Sequence, residues 1–262
     1  LQDVEVASAL APLVAKKELQ AVIAACEEAR SAGARPVVLQ NQGRQDSLSS
    51  VSSATGSSEE SEWSQLHLEP HVRDLLMAGC KGQKQMRHET LAKFLRELTH
   101  LYFNDRNMVE IPLITLCPGT RNLYLYDNFL TRIENLHPMS HVTHLYLQNN
   151  RIEKMEGLDG LPCLQKLYLD HNCIHRIEGL ECNSKLEELH VASQNLPVGS
   201  SMSIDRSCLV SVSRTLQILN LSNNPLELIA DLSALHQVQH VNLSNTAVCE
   251  LNEVLDMLCG CK

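Results

Sequence analysis

Apolar and polar positions recur in one fixed frame through the second half of the chain. Three lines show it: Val142-Thr-His-Leu145-Tyr-Leu147-Gln-Asn-Asn150-Arg-Ile152, Leu164-Gln-Lys-Leu167-Tyr-Leu169-Asp-His-Asn172-Cys-Ile174 and Leu186-Glu-Glu-Leu189-His-Val191-Ala-Ser-Gln194-Asn-Leu196. The frame L-x-x-L-x-L-x-x-N-x-L returns every 22 residues. Its second leucine position falls at Leu101, Leu123, Leu145, Leu167, Leu189, Leu219 and Val241, in steps of 22 with a single step of 30. The alternating L-x-L pair predicts a short strand with both leucines on one face. One such unit cannot bury its own apolar side, but stacked units make a continuous core.

The period and the frame are those of the leucine-rich repeat. The expected fold is α/β: a solenoid of seven repeats of about 22 residues, with a parallel sheet on its concave face and an N-terminal capping helix. Asn128, Asn150, Asn172 and Asn224 hold the Asn slot. An inward amide there would bond backbone groups where the chain leaves the strand. Arg106 and Thr246 replace it in the first and last repeats, as suits units with one neighbour. The second halves echo too: Ile133-Glu-Asn-Leu136, Met155-Glu-Gly-Leu158, Ile177-Glu-Gly-Leu180 and Ile229-Ala-Asp-Leu232. They predict short helical or extended turns on the convex side.

Outside the repeats the pattern changes. Residues 1–39 read as a small helical segment, with Leu19, Val22, Ile23 and Cys26 at helical spacing. Residues 40–64 are serine-rich and acidic and read as a disordered linker. Acidic neighbours make Ser57, Ser58 and Ser61 candidate phosphorylation sites, with an inert spacer as the alternative. Residues 65–97 form the N-terminal cap, with an amphipathic helix over 85–97. The repeats fill 98–250. The long step places an insertion after Leu196, with Asp205–Arg214 as a candidate convex helix, and it serves either recognition or decoration. Residues 251–262 form an incomplete C-terminal cap. The chain begins at Leu1 rather than Met and ends directly after a repeat, which leads us to expect a fragment.

Composition narrows the functional classes. The net charge of -9 argues against a nucleic-acid partner, which calls for a basic face. No apolar run is long enough to span a membrane. The ten cysteines lack the tight clusters that close extracellular repeat domains, so reduced thiols and a cytoplasmic setting are expected. No cofactor is implied, and His67-Leu-Glu-Pro-His71 does not match a zinc motif. Phosphate-loop, nucleophile-elbow and dinucleotide motifs are missing, so the chain reads as non-catalytic. Asn220-Leu-Ser222 and Asn242-Leu-Ser244 match the glycosylation sequon but arise from the repeat frame itself.

The candidate binding site is the outward side of the strands. Tyr102, Tyr124, Tyr146 and Tyr168 occupy the slot between the two core leucines, and His190, Asn220 and Asn242 continue the row. Tyr126 lies two residues beyond Tyr124, so all five tyrosines of the chain fall on this face. Tyrosine offers large contact area and a polar tip, which suits protein interfaces. It also suits strands, where neighbouring rings stack on one another. Asp127, Asp170 and Glu188 are the acidic members of the candidate face, alongside Asp105, Glu187, Arg121 and Lys166. His100, His144, His171 and His190 are expected to face solvent from different slots, not to hold a metal.

Leu98-Thr-His-Leu-Tyr-Phe-Asn-Asp-Arg-Asn107, Leu123-Tyr-Leu-Tyr-Asp-Asn128, Thr143-His-Leu-Tyr-Leu-Gln-Asn-Asn150 and Leu186-Glu-Glu-Leu-His-Val191 resemble the testis leucine-rich-repeat type of phosphatase-1 regulatory subunit. The resemblance covers about 70–262 and includes the insertion after Asn195-Leu-Pro197. More widely, it is to the 22-residue repeat class of phosphatase-1 regulators and axonemal dynein light chain 1. It implies a non-catalytic partner of the type 1 Ser/Thr protein phosphatase catalytic subunit at centrosomes, microtubules or cilia. The short basic-x-Val-x-Phe docking peptide of many phosphatase-1 partners is missing, so the concave face would carry the contact. The alternative is a microtubule or axonemal dynein adaptor. Residues 91–262 hold 13 Lys+Arg against 19 Asp+Glu, which counts against gripping acidic tubulin tails.

Overall fold

The computed structural model describes residues 70–80, 82–83, 90–226 and 230–248. The expectations for 1–39, for the linker 40–64 and for the closing cap 251–262 lie outside the described residues.

Seven three-residue strands form one parallel sheet: β1 (His100–Tyr102), β2 (Asn122–Tyr124), β3 (His144–Tyr146), β4 (Lys166–Tyr168), β6 (Glu188–His190), β8 (Ile218–Asn220) and β9 (His240–Asn242). Their register aligns Leu101, Leu123, Leu145, Leu167, Leu189, Leu219 and Val241. Each centre from Leu101 to Leu219 is fully buried, and so are the second leucines Leu125, Leu147, Leu169 and Leu221. Burying each leucine contributes roughly 1.5–3 kcal/mol. The architecture is the leucine-rich-repeat solenoid, with few helices.

The Asn slot works as a ladder. The Asn150 amide donates to Leu125 O and Leu147 O, and its Oδ1 accepts from Leu130 N, each at 3.0 Å. Asn128, Asn172 and Asn224 make equivalent bonds. Every rung thus ties a strand exit to the repeats beside it, satisfying backbone groups that burial would otherwise strand. In the fifth repeat Gln194 takes the slot. Its Oε1 accepts from Ile174 N and its amide donates to Leu169 O. The chain leaves each strand through a left-handed residue: Asp105, Asp127, Asn149, His171, Ser193, Asn223 and Asn245, with φ between 54° and 57°. Short polar side chains dominate there because they tolerate this conformation best.

The convex side is plainer than its sequence echo suggests. Among the described residues, helical structure there is limited to α3 (Arg206–Val212), capped by Asp205, and a 3₁₀ turn at Ala230–Ala234. The helix expected within the insertion is therefore present. Just ahead of it, β7 (Ser203–Ile204) pairs with β5 (Arg176–Ile177) in a small second sheet. The echoed Glu-Gly positions are backbone devices. Gly157 and Gly179 adopt φ of 69° and 75°. A Cβ at either would run into the carbonyl oxygen of Ile133 or Met155 in the preceding repeat.

The N-terminal end differs from the single expected helix. The helix expected over 85–97 is the shorter α2 (Leu91–Glu97), which starts after the extended N-cap Thr90, whose Oγ1 accepts from Lys93 N. A further helix, α1 (Pro70–Gly79), precedes it. At the first residue of this helix the missing N–H of Pro70 costs no intrahelical bond. Val72, Leu76, Leu91 and Leu95 join the core. Gln83 donates to His100 O at 2.7 Å on the outer edge of β1.

Candidate functional site

The register of the sheet assembles the tyrosine row into a stack. Ring centroids of Tyr102 and Tyr124 lie 4.7 Å apart, those of Tyr124 and Tyr146 4.7 Å, and those of Tyr146 and Tyr168 4.9 Å. The rings are within 9° of parallel. His190 closes the stack on Tyr168 at 4.7 Å. Strand spacing sets these distances, since neighbouring parallel strands lie about 4.7–4.9 Å apart. The ring faces are therefore spent on one another. What the row presents outward is ring edges and hydroxyls. Tyr102, at the open end, is the exposed member at 36%. Tyr126 stands edge-on to Tyr124, at 86° and 6.5 Å.

A polar cluster anchors the far end of the stack. Lys166 Nζ meets Glu188 Oε1 at 2.9 Å, and the Tyr168 hydroxyl donates to Glu188 Oε2 at 2.9 Å. His190 Nε2 lies 3.8 Å from the same carboxylate. Burial pushes the Glu188 carboxyl up, but His190, Lys166 and Tyr168 together outweigh it and hold it at about 2. Asp170 behaves oppositely. Burial raises it, against the Ala192 N–H that donates to its Oδ1 at 2.7 Å. Asp170 thus braces the next strand instead of projecting freely.

Asp127 sits at a left-handed strand exit beside Asp105, and its Oδ1 accepts from Asn149 at 2.7 Å. Among the described residues no ion pair involves Asp105, Asp127, Glu187 or Arg121. The histidines do not all occupy separate slots. His100 and His144 share one row with Asn122 between them, because β1, β2 and β3 are in register. Asn122 bonds His100 Nε2 at 3.0 Å, and Thr99 and Thr143 bond the two Nδ1 atoms at 2.9 Å. His190 belongs to the tyrosine row, and His171 to a strand exit.

Past His190 the same row changes character. Asn220 Oδ1 accepts from Ser222 N and Oγ, and Asn242 does the same with Ser244. Each sequon-like triplet is thus a local turn within its own repeat. The described residues hold free cysteines at 80, 117, 163, 173, 182 and 208. Burial pushes Cys80 up to about 11 and Cys117 and Cys208 up to about 12, so these thiols stay protonated core fillers. Among the described residues no group of His, Cys, Asp and Glu is arranged to hold a metal ion, and no helix is long and apolar enough to cross a membrane.

Sequence reasoning overlooked two parts of the site. One is Gln194, whose position 22 residues after Asn172 was the available signal. The other is the pairing of Lys166 with Glu188, adjacent slots of one row.

Residues 118–174 match the leucine rich repeat family. Among solved structures, the chain is similar to an internalin (InlF) from Listeria monocytogenes. That match has a TM-score of 0.54 at 20% identity over 75% of this chain and 62% of the internalin. It is also similar to human 5T4, the trophoblast glycoprotein, with a TM-score of 0.47 at 25% identity over 58% of this chain and 60% of that one. The chain thus spans about three fifths of the length of either. The repeat fold is typically a non-catalytic protein-interaction scaffold, which suggests a protein-binding role for this chain.

Proposed function

We propose that this chain is a regulatory subunit of type 1 Ser/Thr protein phosphatase, docking the catalytic subunit on its concave tyrosine face. The observation that carries the reading is the concentration of all five tyrosines on that face, four of them in one continuous stack. Interfaces favour tyrosine, and the repeat core has no need of these rings. The resemblance of residues 98–107, 123–128, 143–150 and 186–191 to phosphatase-1 regulatory subunits supplies the partner. It also supplies a cytoplasmic setting at centrosomes, microtubules or cilia.

The test is a pull-down from lysate of ciliated cells with wild type beside Tyr124→Ala/Tyr146→Ala. Phosphatase catalytic subunit recovered by wild type and lost by the variant supports the reading. Recovery of tubulin or dynein chains without phosphatase replaces it with the adaptor reading.

A further inference from the structure

The tyrosine stack has two unlike ends, and the difference points to a partner chemistry. At the β4–β6 end the stack is closed. His190 covers Tyr168, and Lys166, Tyr168 and Glu188 satisfy one another. The basic charge of Lys166 is spent inside the face. At the β1–β2 end no further ring among the described residues covers the outer side of Tyr102 at stacking distance. Tyr102 covers one face of Tyr124 and is itself the exposed ring. Tyr126 stands beside it, edge-on to Tyr124. On the same rim Asp105 and Asp127 leave their strands in consecutive repeats, at φ of 55° and 56°. Over β1–β6 this face carries Asp105, Asp127, Asp170, Glu187 and Glu188 against Arg121 and Lys166; Lys166 is already paired, and Arg106, next to Asp105, turns its guanidinium to Ala78 O.

We propose that the open end docks an arginine-bearing basic segment of a protein partner. An aromatic ring face attracts a cation, and a guanidinium does so best because it is planar and weakly hydrated. Such a group placed on Tyr102 would continue the stack by one rung. Its charge would lie beside the Asp105 and Asp127 carboxylates. An acidic segment meets the opposite field there. A lysine segment gains the charge but loses the planar stacking. The inference rests on the concave face being the binding surface and adds the chemistry that the partner must present.

The experiment is fluorescence anisotropy with the full 262-residue chain and three labelled peptides of equal length, built from Arg/Gly, Lys/Gly and Glu/Gly. The variants are Asp105→Asn/Asp127→Asn and Tyr102→Leu. Asparagine tolerates the left-handed backbone at both turns, so the first variant keeps the fold, which an unchanged melting curve verifies. The Arg peptide should bind wild type, the Lys peptide at least threefold more weakly, and the Glu peptide not measurably. The double Asn variant should weaken the Arg peptide at least tenfold, and raising the salt should weaken it further. Tyr102→Leu should erase the preference for Arg over Lys. Equal or tighter binding of the Glu peptide, no binding of the Arg peptide, or full affinity in the double Asn variant overturns the proposal. If phosphatase is still captured in a tyrosine-dependent way after such a result, the docking chemistry alone has failed.

Discussion

The two halves of the concave face share one backbone and one register, yet they bond in different directions. From β1 to β4 the central slot holds tyrosines whose contacts run across strands, ring to ring, so each ring belongs to two or three repeats. At β8 and β9 the same slot holds Asn220 and Asn242, whose Oδ1 atoms accept from Ser222 and Ser244 of their own repeat. Beneath both halves the buried amide ladder continues without a break, from Asn128 through Gln194 to Asn224. The surface is therefore free to change chemistry while the spine stays constant. One half becomes a shared aromatic surface and the other a series of separate turns.

The sharpest way to break this picture is to attack the spine and the surface amides in parallel. Asn150→Ala removes a buried group bonded to Leu125 O, Leu147 O and Leu130 N. Leaving such groups unpaired should cost about 3 kcal/mol, whereas Asn220→Ala removes a half-buried amide oxygen that accepts from Ser222 within one turn and should cost about 1 kcal/mol. Urea denaturation of both variants measures the contrast. Equal losses would mean that the ladder does not carry the fold.

The convex turns offer a second contrast. Gly157→Ala meets both a φ of 69° and the Ile133 carbonyl, while Gly199 at φ 85° has open space around it. We expect about 2–3 kcal/mol for the first and about 1 kcal/mol for the second. Thermal melts would report it.

Next in size is the coupling between rings. A double-mutant cycle on Tyr124 and Tyr146 should show about 0.5–1.5 kcal/mol of interaction. The same cycle on Asn220 and Asn242 should show none above experimental error. Coupling of equal size in the amide pair would remove the distinction between the halves.

The smallest expected effects come from acid. Glu188 is held at about 2 against an ordinary 4.5. Its stabilisation is present in full above 4.5 and is lost as the pH falls through about 2. Asp170 is raised from its ordinary 3.8, so its contribution favours the fold below that value and is lost as the pH rises through its folded-state value. Glu188→Gln should therefore destabilise at neutral pH. Asp170→Asn, which keeps an acceptor for Ala192 N, should be neutral or slightly stabilising. Urea midpoints at pH 7 and pH 3 check both signs.

Much of this was legible in the sequence because a solenoid converts spacing into position. Once Leu101 to Val241 fall in one frame, each slot becomes a row, and the tyrosine stack follows from the period alone. The insertion helix was legible from Asp205 and the apolar spacing behind it. Other features were hidden where identity changed but geometry did not. Gln194 replaces Asn with one more methylene and still reaches the same carbonyls. The N-terminal helix at Pro70 was hidden because proline ends most helices and begins only some. The direction of bonding was not legible at all. Asp170 and Asp127 sit one slot apart in the frame, yet one accepts from the backbone N–H of Ala192 and the other from the side-chain amide of Asn149, a difference that depends on the neighbouring repeat.

The most direct test of the account is calorimetric titration of purified type 1 phosphatase catalytic subunit into three proteins: wild type, Tyr124→Ser/Tyr146→Ser and Asn220→Ala/Asn242→Ala. The account predicts that wild type and the amide variant bind alike, and that the tyrosine variant binds at least tenfold more weakly while retaining a cooperative melt. No binding to wild type, or an equal loss in the amide variant, would contradict it.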